Sequence, residues 1–127
     1  MKAFQDRWVS IKFAWAGVRY VLATQPNARL HLLIAAAVLI LGIGLRITLL
    51  EFAVILIMIS VVWSAELFNT AVEVLVDYIS PEKQPFAKIC KDVSAAAVLV
   101  TAVISVLVGL LIFLPRLWFL FLEIIYQ

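Results

Sequence analysis

From Val93 to Leu114 the chain carries no charged side chain. A run of that length can cross a bilayer as one helix, because about 20 apolar residues span the hydrocarbon and a helix satisfies its own backbone there. Two more apolar stretches, roughly residues 30–45 and 49–65, read the same way. Composition closes off the soluble alternative. The chain is 66% hydrophobic and 14% charged, whereas soluble domains sit near ~45–50% and ~25%. With 127 residues, a water-soluble fold would have too little polar surface to cover its core. The expected class is an all-α membrane protein in one domain, 1–127: an N-terminal amphipathic surface helix plus three transmembrane helices.

The surface helix is expected over residues 1–24. Phe4, Trp8, Ile11, Trp15, Val18 and Leu22 recur at alternating four- and three-residue steps and form one apolar stripe. Lys2, Gln5, Asp6, Ser10, Lys12 and Arg19 fall mostly off it. A basic helix with Trp and Phe on its apolar side suits a membrane interface; a helix packed on another protein is the alternative. No signal peptide is expected, since Lys2, Arg7, Lys12 and Arg19 interrupt the first 25 residues. Gln25-Pro26-Asn27 ends the helix, because the residue before a proline avoids helical backbone. The helical pattern of the second span continues to residue 79, and Ser80-Pro81-Glu82-Lys83-Gln84-Pro85 forms a polar loop. Pro115-Arg116 ends the third apolar run, and Leu117–Gln127 reads as an aromatic, interfacial tail.

Three spans place the termini on opposite sides. Lys2, Arg7, Lys12, Arg19 and Arg29 precede the first span, and Lys83, Lys88 and Lys91 lie between the second and third. Only Arg46 and Arg116 fall on the other side. The positive-inside rule then puts the N-terminus and the 80–92 loop in the cytoplasm, where ATP is available. A net charge of +2 gives no reason to expect a nucleic-acid partner. The single cysteine, Cys90, excludes an intrachain disulfide and reads as a small apolar filler. Trp8, Trp15, Trp63 and Trp118 read as interface anchors, and His31 as a polar interfacial residue.

The chemistry-bearing feature is a polar row leaving the second span. Glu66, Asn69, Glu73 and Asp77 follow one another by three, four and four residues. At the helical repeat they fall within about 80° of one face. Lys91 and Asp92 open the third span, and five of the eight acidic residues lie between positions 66 and 92. Ionisable groups at a hydrocarbon boundary pair with one another or serve a function. Phosphoryl transfer needs a divalent cation, positive groups and a base or positioning group for the attacking hydroxyl, and this cluster contains those types. From residue types alone, a polar network joining helices and an ion or proton path stand beside lipid chemistry. A proton path would place carboxylates near mid-span, yet 49–65 contains only Glu51, at the opposite rim. The sequence has no G-x-x-x-x-G-K-[ST] loop, no G-x-G-x-x-G and no protein-kinase motif set. With four glycines in all, an ATP site must be built from side chains and helix ends. One His and one Cys make zinc improbable.

The stretch Ala65-Glu66-Leu67-Phe68-Asn69-Thr70-Ala71-Val72-Glu73, followed by Val76-Asp77, resembles the central motif of the prokaryotic diacylglycerol kinase/undecaprenol kinase family. Residues 85–93 (PFAKICKDV) look like its second motif, and Phe13–Gly17 and Asn27–His31 resemble its N-terminal helix and the start of its first span. The resemblance covers nearly the whole chain. It implies a homotrimer of three-span protomers in a bacterial plasma (inner) membrane, with active sites shared between neighbours at its cytoplasmic surface. The implied reaction moves the γ-phosphoryl group of MgATP onto a lipid hydroxyl. By position, Glu66 would be the base for that hydroxyl and Asn69 would orient it or the phosphate. Glu73 would hold Mg2+, while Lys91 and Asp92 would contact the nucleotide, with Glu82, Lys83 and Gln84 nearby. Asp92 is also a candidate catalytic residue. Arg19, Arg29, Asn27 and Trp15 would serve the lipid substrate.

One departure stands out. Where the family pattern has a glutamate as second metal ligand, this chain has Gln25. A carboxamide oxygen can ligate but brings no charge, so weaker metal affinity is expected; an inactive relative acting as scaffold or transporter is the alternative. The Pro26–His31 segment and the end Gly109–Arg116 look more like the undecaprenol kinase branch than the enterobacterial diacylglycerol kinase branch.

Overall fold

A computed structural model describes the backbone of residues 2–80, 82 and 84–126 and the side chains of 8–80, 82 and 84–126. Among the described residues there are four helices and no strand: α1 (Lys2–Thr24), α2 (Pro26–Gly44), α3 (Leu49–Ile79) and α4 (Pro85–Ile125). The last three are long and apolar enough to cross a membrane.

A single residue joins α1 to α2. The Gln25 N–H closes the last turn of α1 on the Val21 carbonyl at 2.8 Å. Its own backbone is extended (φ −105°, ψ 110°), as Pro26 at the first helical position requires. Helix α2 therefore begins at Pro26, earlier than the apolar run from Leu30 suggests. Its far end closes with two reverse bonds, Ile47 N–H to the Gly42 carbonyl and Arg46 N–H to the Ile43 carbonyl, both 3.1 Å. Arg46 adopts the left-handed conformation (φ 48°) that this closure needs. Thr48 then starts α3 with a capping box. The Glu51 N–H donates to Thr48 Oγ1, and the Thr48 N–H donates to Glu51 Oε2 at 2.8 Å.

Helices α3 and α4 form the principal pair, and α2 and α1 both pack on α3. Ala28, Ala35 and Gly42 recur every seven residues and are the buried positions of α2, so small side chains let α2 approach its neighbour closely. The core is small: Ile55, Ile112 and Phe113, ringed by partly buried apolar residues such as Val38, Val54 and Val108. Most other large apolar side chains point outward, as a bilayer permits. The hydroxyls of Ser60, Thr101 and Ser105 bond to carbonyls of their own helices, which satisfies these donors within the spans.

Two expectations need correction. Helix α4 does not end at Leu114 but runs through Pro115 to Ile125. Proline removes one backbone donor, yet the helix remains the arrangement that satisfies the other groups. The next residue is also clamped. Arg116 Nη1 donates to the Ile112 carbonyl (3.1 Å) and to Glu51 Oε1 (2.8 Å), and Nη2 donates to Glu51 Oε2 (2.7 Å). At 41 residues, α4 is about 60 Å long, twice a hydrocarbon core. The second correction concerns Trp63, which is half-buried and lines an open-sided cavity between α2, α3 and α4. Along α1, by contrast, Trp8, Ile11 and Trp15 lie open while Val21 is buried. Val18 and Leu22, the later members of the apolar stripe, are half-buried, so only its N-terminal part is open. Phe4 and Lys83 lie outside the described side chains.

Candidate active site

The polar row of α3 lies between two other elements. The α1–α2 corner faces it on one side and the start of α4 on the other. Glu66 and Asn69 are 3% and 8% exposed; one helical turn further on, Glu73 is half-buried and Asp77 exposed. Burial falls along the row because α3 emerges from the bundle.

Glu73 is the centre of a hydrogen-bonded group drawn from three helices. Gln25 Nε2 donates to its Oε2 at 3.0 Å, across the α1–α2 corner. Asn69 Nδ2 donates to its Oε1, also at 3.0 Å. From α4, Ser94 Oγ lies 2.7 Å from Asn69 Oδ1 and 2.9 Å from the Lys91 carbonyl. Both Glu73 oxygens are therefore held by neutral amides, and no cation pairs with this carboxylate among the described residues. Lys91 Nζ donates instead to Asp77, so α3 and α4 are tied again at the rim.

Glu66 is different. Its Oε1 is buried and has no hydrogen bond. The nearest cation-capable group is His31 Nε2 on α2, 3.3 Å away. A buried acceptor without a partner is rare and marks a catalytic or ligand-binding role, or a bound water.

Of the residues expected at the site, the structure connects Gln25, Asn69 and Glu73 directly and places Glu66 one turn along the same face. Asp92 does not join them; it is exposed and accepts a bond from Lys88, one turn back on α4. Glu82, Gln84, Arg19, Arg29, Asn27 and Trp15 are all exposed and make no side-chain bond to the group among the described residues. Lys83 lies outside the described residues. Sequence reasoning missed His31 and Ser94. Ser94 follows Lys91 by three residues and so shares its face. His31 falls between Ala28 and Ala35 on the small-residue seam, a signal that it points inward.

The family model of prokaryotic diacylglycerol kinases matches residues 12–113, which includes every member of this group. The chain belongs to the prokaryotic diacylglycerol kinase family. Among its relatives is an undecaprenol kinase of Bacillus subtilis, 43% identical over 108 residues, covering 85% of this chain and 88% of the relative. Another is a diacylglycerol kinase of Synechocystis sp., 40% identical over 110 residues, covering 86% of this chain and 63% of the relative. As a prokaryotic diacylglycerol kinase family member with three apolar helices, the protein is a multi-pass membrane lipid kinase.

Proposed function

We infer that this kinase transfers the γ-phosphoryl group of ATP to the hydroxyl of a membrane lipid, with undecaprenol favoured over diacylglycerol. The observation that carries the reading is the buried, unbonded Oε1 of Glu66. It sits beside the Glu73 group, where an apolar bundle becomes polar. A hydroxyl at the membrane surface supplies the missing hydrogen bond. Its oxygen attacks the γ-phosphorus as its proton passes to Glu66; the bond to the β-phosphate oxygen breaks and ADP leaves. Such transfers rest chiefly on positioning and charge stabilisation.

The residues fit a magnesium ion carried in by the nucleotide. Glu73 has a carboxylate with no protein cation on it, flanked by two carboxamides. No group of three or more His, Cys, Asp or Glu converges among the described residues. That sparse set agrees with Mg2+, which takes one or two carboxylates plus phosphate oxygens and water. Bound there, the ion would neutralise phosphate charge. Glu73 would hold it, and Gln25 would join by presenting its amide oxygen, which requires the amide to turn over from its present donor orientation. Asn69 is placed to hold the phosphate or the hydroxyl. Lys91, Gln84, Glu82 and Lys83 would serve the nucleotide, and Arg19, Arg29, Asn27 and Trp15 the lipid.

The preference for undecaprenol rests on the higher identity and fuller coverage of the Bacillus relative. The reading includes a homotrimer, a plasma-membrane location and a cytoplasmic N-terminus and 80–92 loop. Phosphoryl transfer from labelled ATP to undecaprenol and to diacylglycerol, side by side in lipid vesicles, tests it. Faster transfer to undecaprenol is expected. Transfer to neither lipid at any Mg2+ concentration would refute the kinase reaction.

A further inference from the structure

His31 lies outside the Glu73 group, yet its Nε2 is the nearest cation-capable group to the unbonded oxygen of Glu66, 3.3 Å away. It also forms the polar end of a cavity of about 260 Å³ between α2, α3 and α4. The rest of the lining includes Ala35, Val38, Ile59, Val62, Trp63 and Phe113. Its one hydroxyl, Ser105, is already bonded to the Ala102 carbonyl. Apart from that hydroxyl and the Trp63 indole N–H, a hydrocarbon chain in this cavity meets apolar side chains up to His31.

We propose that His31 orients the acceptor hydroxyl: its Nε2–H donates to the hydroxyl oxygen while Glu66 Oε1 accepts the hydroxyl proton. This deepens the lipid-kinase reading and rests on it. The geometry is direct. Hydroxyl hydrogen bonds are about 2.8 Å long. An oxygen at that distance from both atoms subtends about 72° across the observed 3.3 Å, so the two side chains part by roughly 1 Å to give the entering hydroxyl a tetrahedral pair of bonds. The donor bond from Nε2 turns a lone pair toward His31, so that the proton points at the carboxylate and the remaining lone pair is free for phosphorus. The arrangement needs the imidazole tautomer with its proton on Nε2. No atom beyond those of the kinase reaction is required: one P–O bond forms, one breaks, and the proton ends on Glu66. Glu66 is buried and His31 half-buried between the helices, which limits competing water at the hydroxyl.

The test is steady-state kinetics of the full-length protein in lipid vesicles, with undecaprenol and MgATP each varied, for His31→Gln, His31→Asn and His31→Leu. A Gln amide nitrogen reaches about where Nε2 stands; Asn is too short and Leu cannot donate. Losing an orienting bond at the reacting atom lowers kcat roughly tenfold to a hundredfold. The expected result is that Asn and Leu lose that much while Gln keeps most of its activity. The KM for ATP and the melting temperature stay unchanged. Near-wild-type kcat in all three would overturn the proposal, as would an equal loss in all three. If His31→Leu does not fold, the Gln–Asn comparison decides alone. The wild-type control separates the two readings: an inactive wild type removes the kinase reaction itself, whereas an active wild type indifferent to His31 removes only this role.

Discussion

At the scale of single residues, the two glutamates of the row do different work because their surroundings differ. Glu73 is held by two amides, which fix its oxygens without neutralising its charge. Glu66 keeps one oxygen unbonded inside the protein, a condition that a hydroxyl relieves and a stable fold would otherwise avoid. Gln25 tests the metal half of this account. Gln25→Glu adds a second carboxylate beside Glu73, and cation affinity follows ligand charge. The Mg2+ concentration giving half-maximal transfer is expected to fall about tenfold; an unchanged or raised requirement would place the ion elsewhere. Glu66, Asn69 and Glu73 were legible from their spacing alone, because helical periodicity puts them on one face. The Gln25–Glu73 bond joins residues 48 apart and entered only through the family resemblance. His31 and Ser94 were missed since their neighbours are set by helix packing, which local sequence does not encode.

At the scale of elements, the end of the bundle away from the site is locked. Arg116 binds Glu51 through both carboxylate oxygens, and Glu51 also completes the α3 capping box. Both side chains are about a quarter exposed (28% and 27%), so the pair lies between the weak surface case and the strong buried one. Arg116→Gln and Glu51→Gln are each expected to lower the midpoint of a denaturant titration in mixed micelles by a small, measurable amount. The double variant should lose less than the sum. Strict additivity would mean that the pair contributes nothing. This lock is also why α4 outlasts its proline. The sequence shows Pro115 as a stop, and only the tertiary partner of Arg116 explains why the helix goes on.

At the scale of the whole molecule, the apolar outer surface and the distribution of charge set the orientation. Three spans, eight basic residues on one side and the extension of α3 to residue 79 were readable in the sequence; the full length of α4 was not. Orientation can be checked by cysteine labelling in a Cys90→Ala background. An impermeant maleimide added to intact cells should modify Arg46→Cys, at the α2–α3 turn, and should reach Glu82→Cys only after permeabilisation. Labelling of Glu82→Cys in intact cells would invert the topology and remove ATP from the site.

The most direct test of the central claim is single-turnover transfer from γ-labelled ATP to undecaprenol by wild type and by Glu66→Gln in the same vesicles. The substitution keeps the shape of the side chain and removes the base. A positioned general base contributes about a hundredfold to ten-thousandfold. A loss of that size, with ATP binding and thermal stability intact, is the predicted result. Transfer by Glu66→Gln at the wild-type rate would contradict the account, because the buried, unbonded oxygen would then have no part in the chemistry.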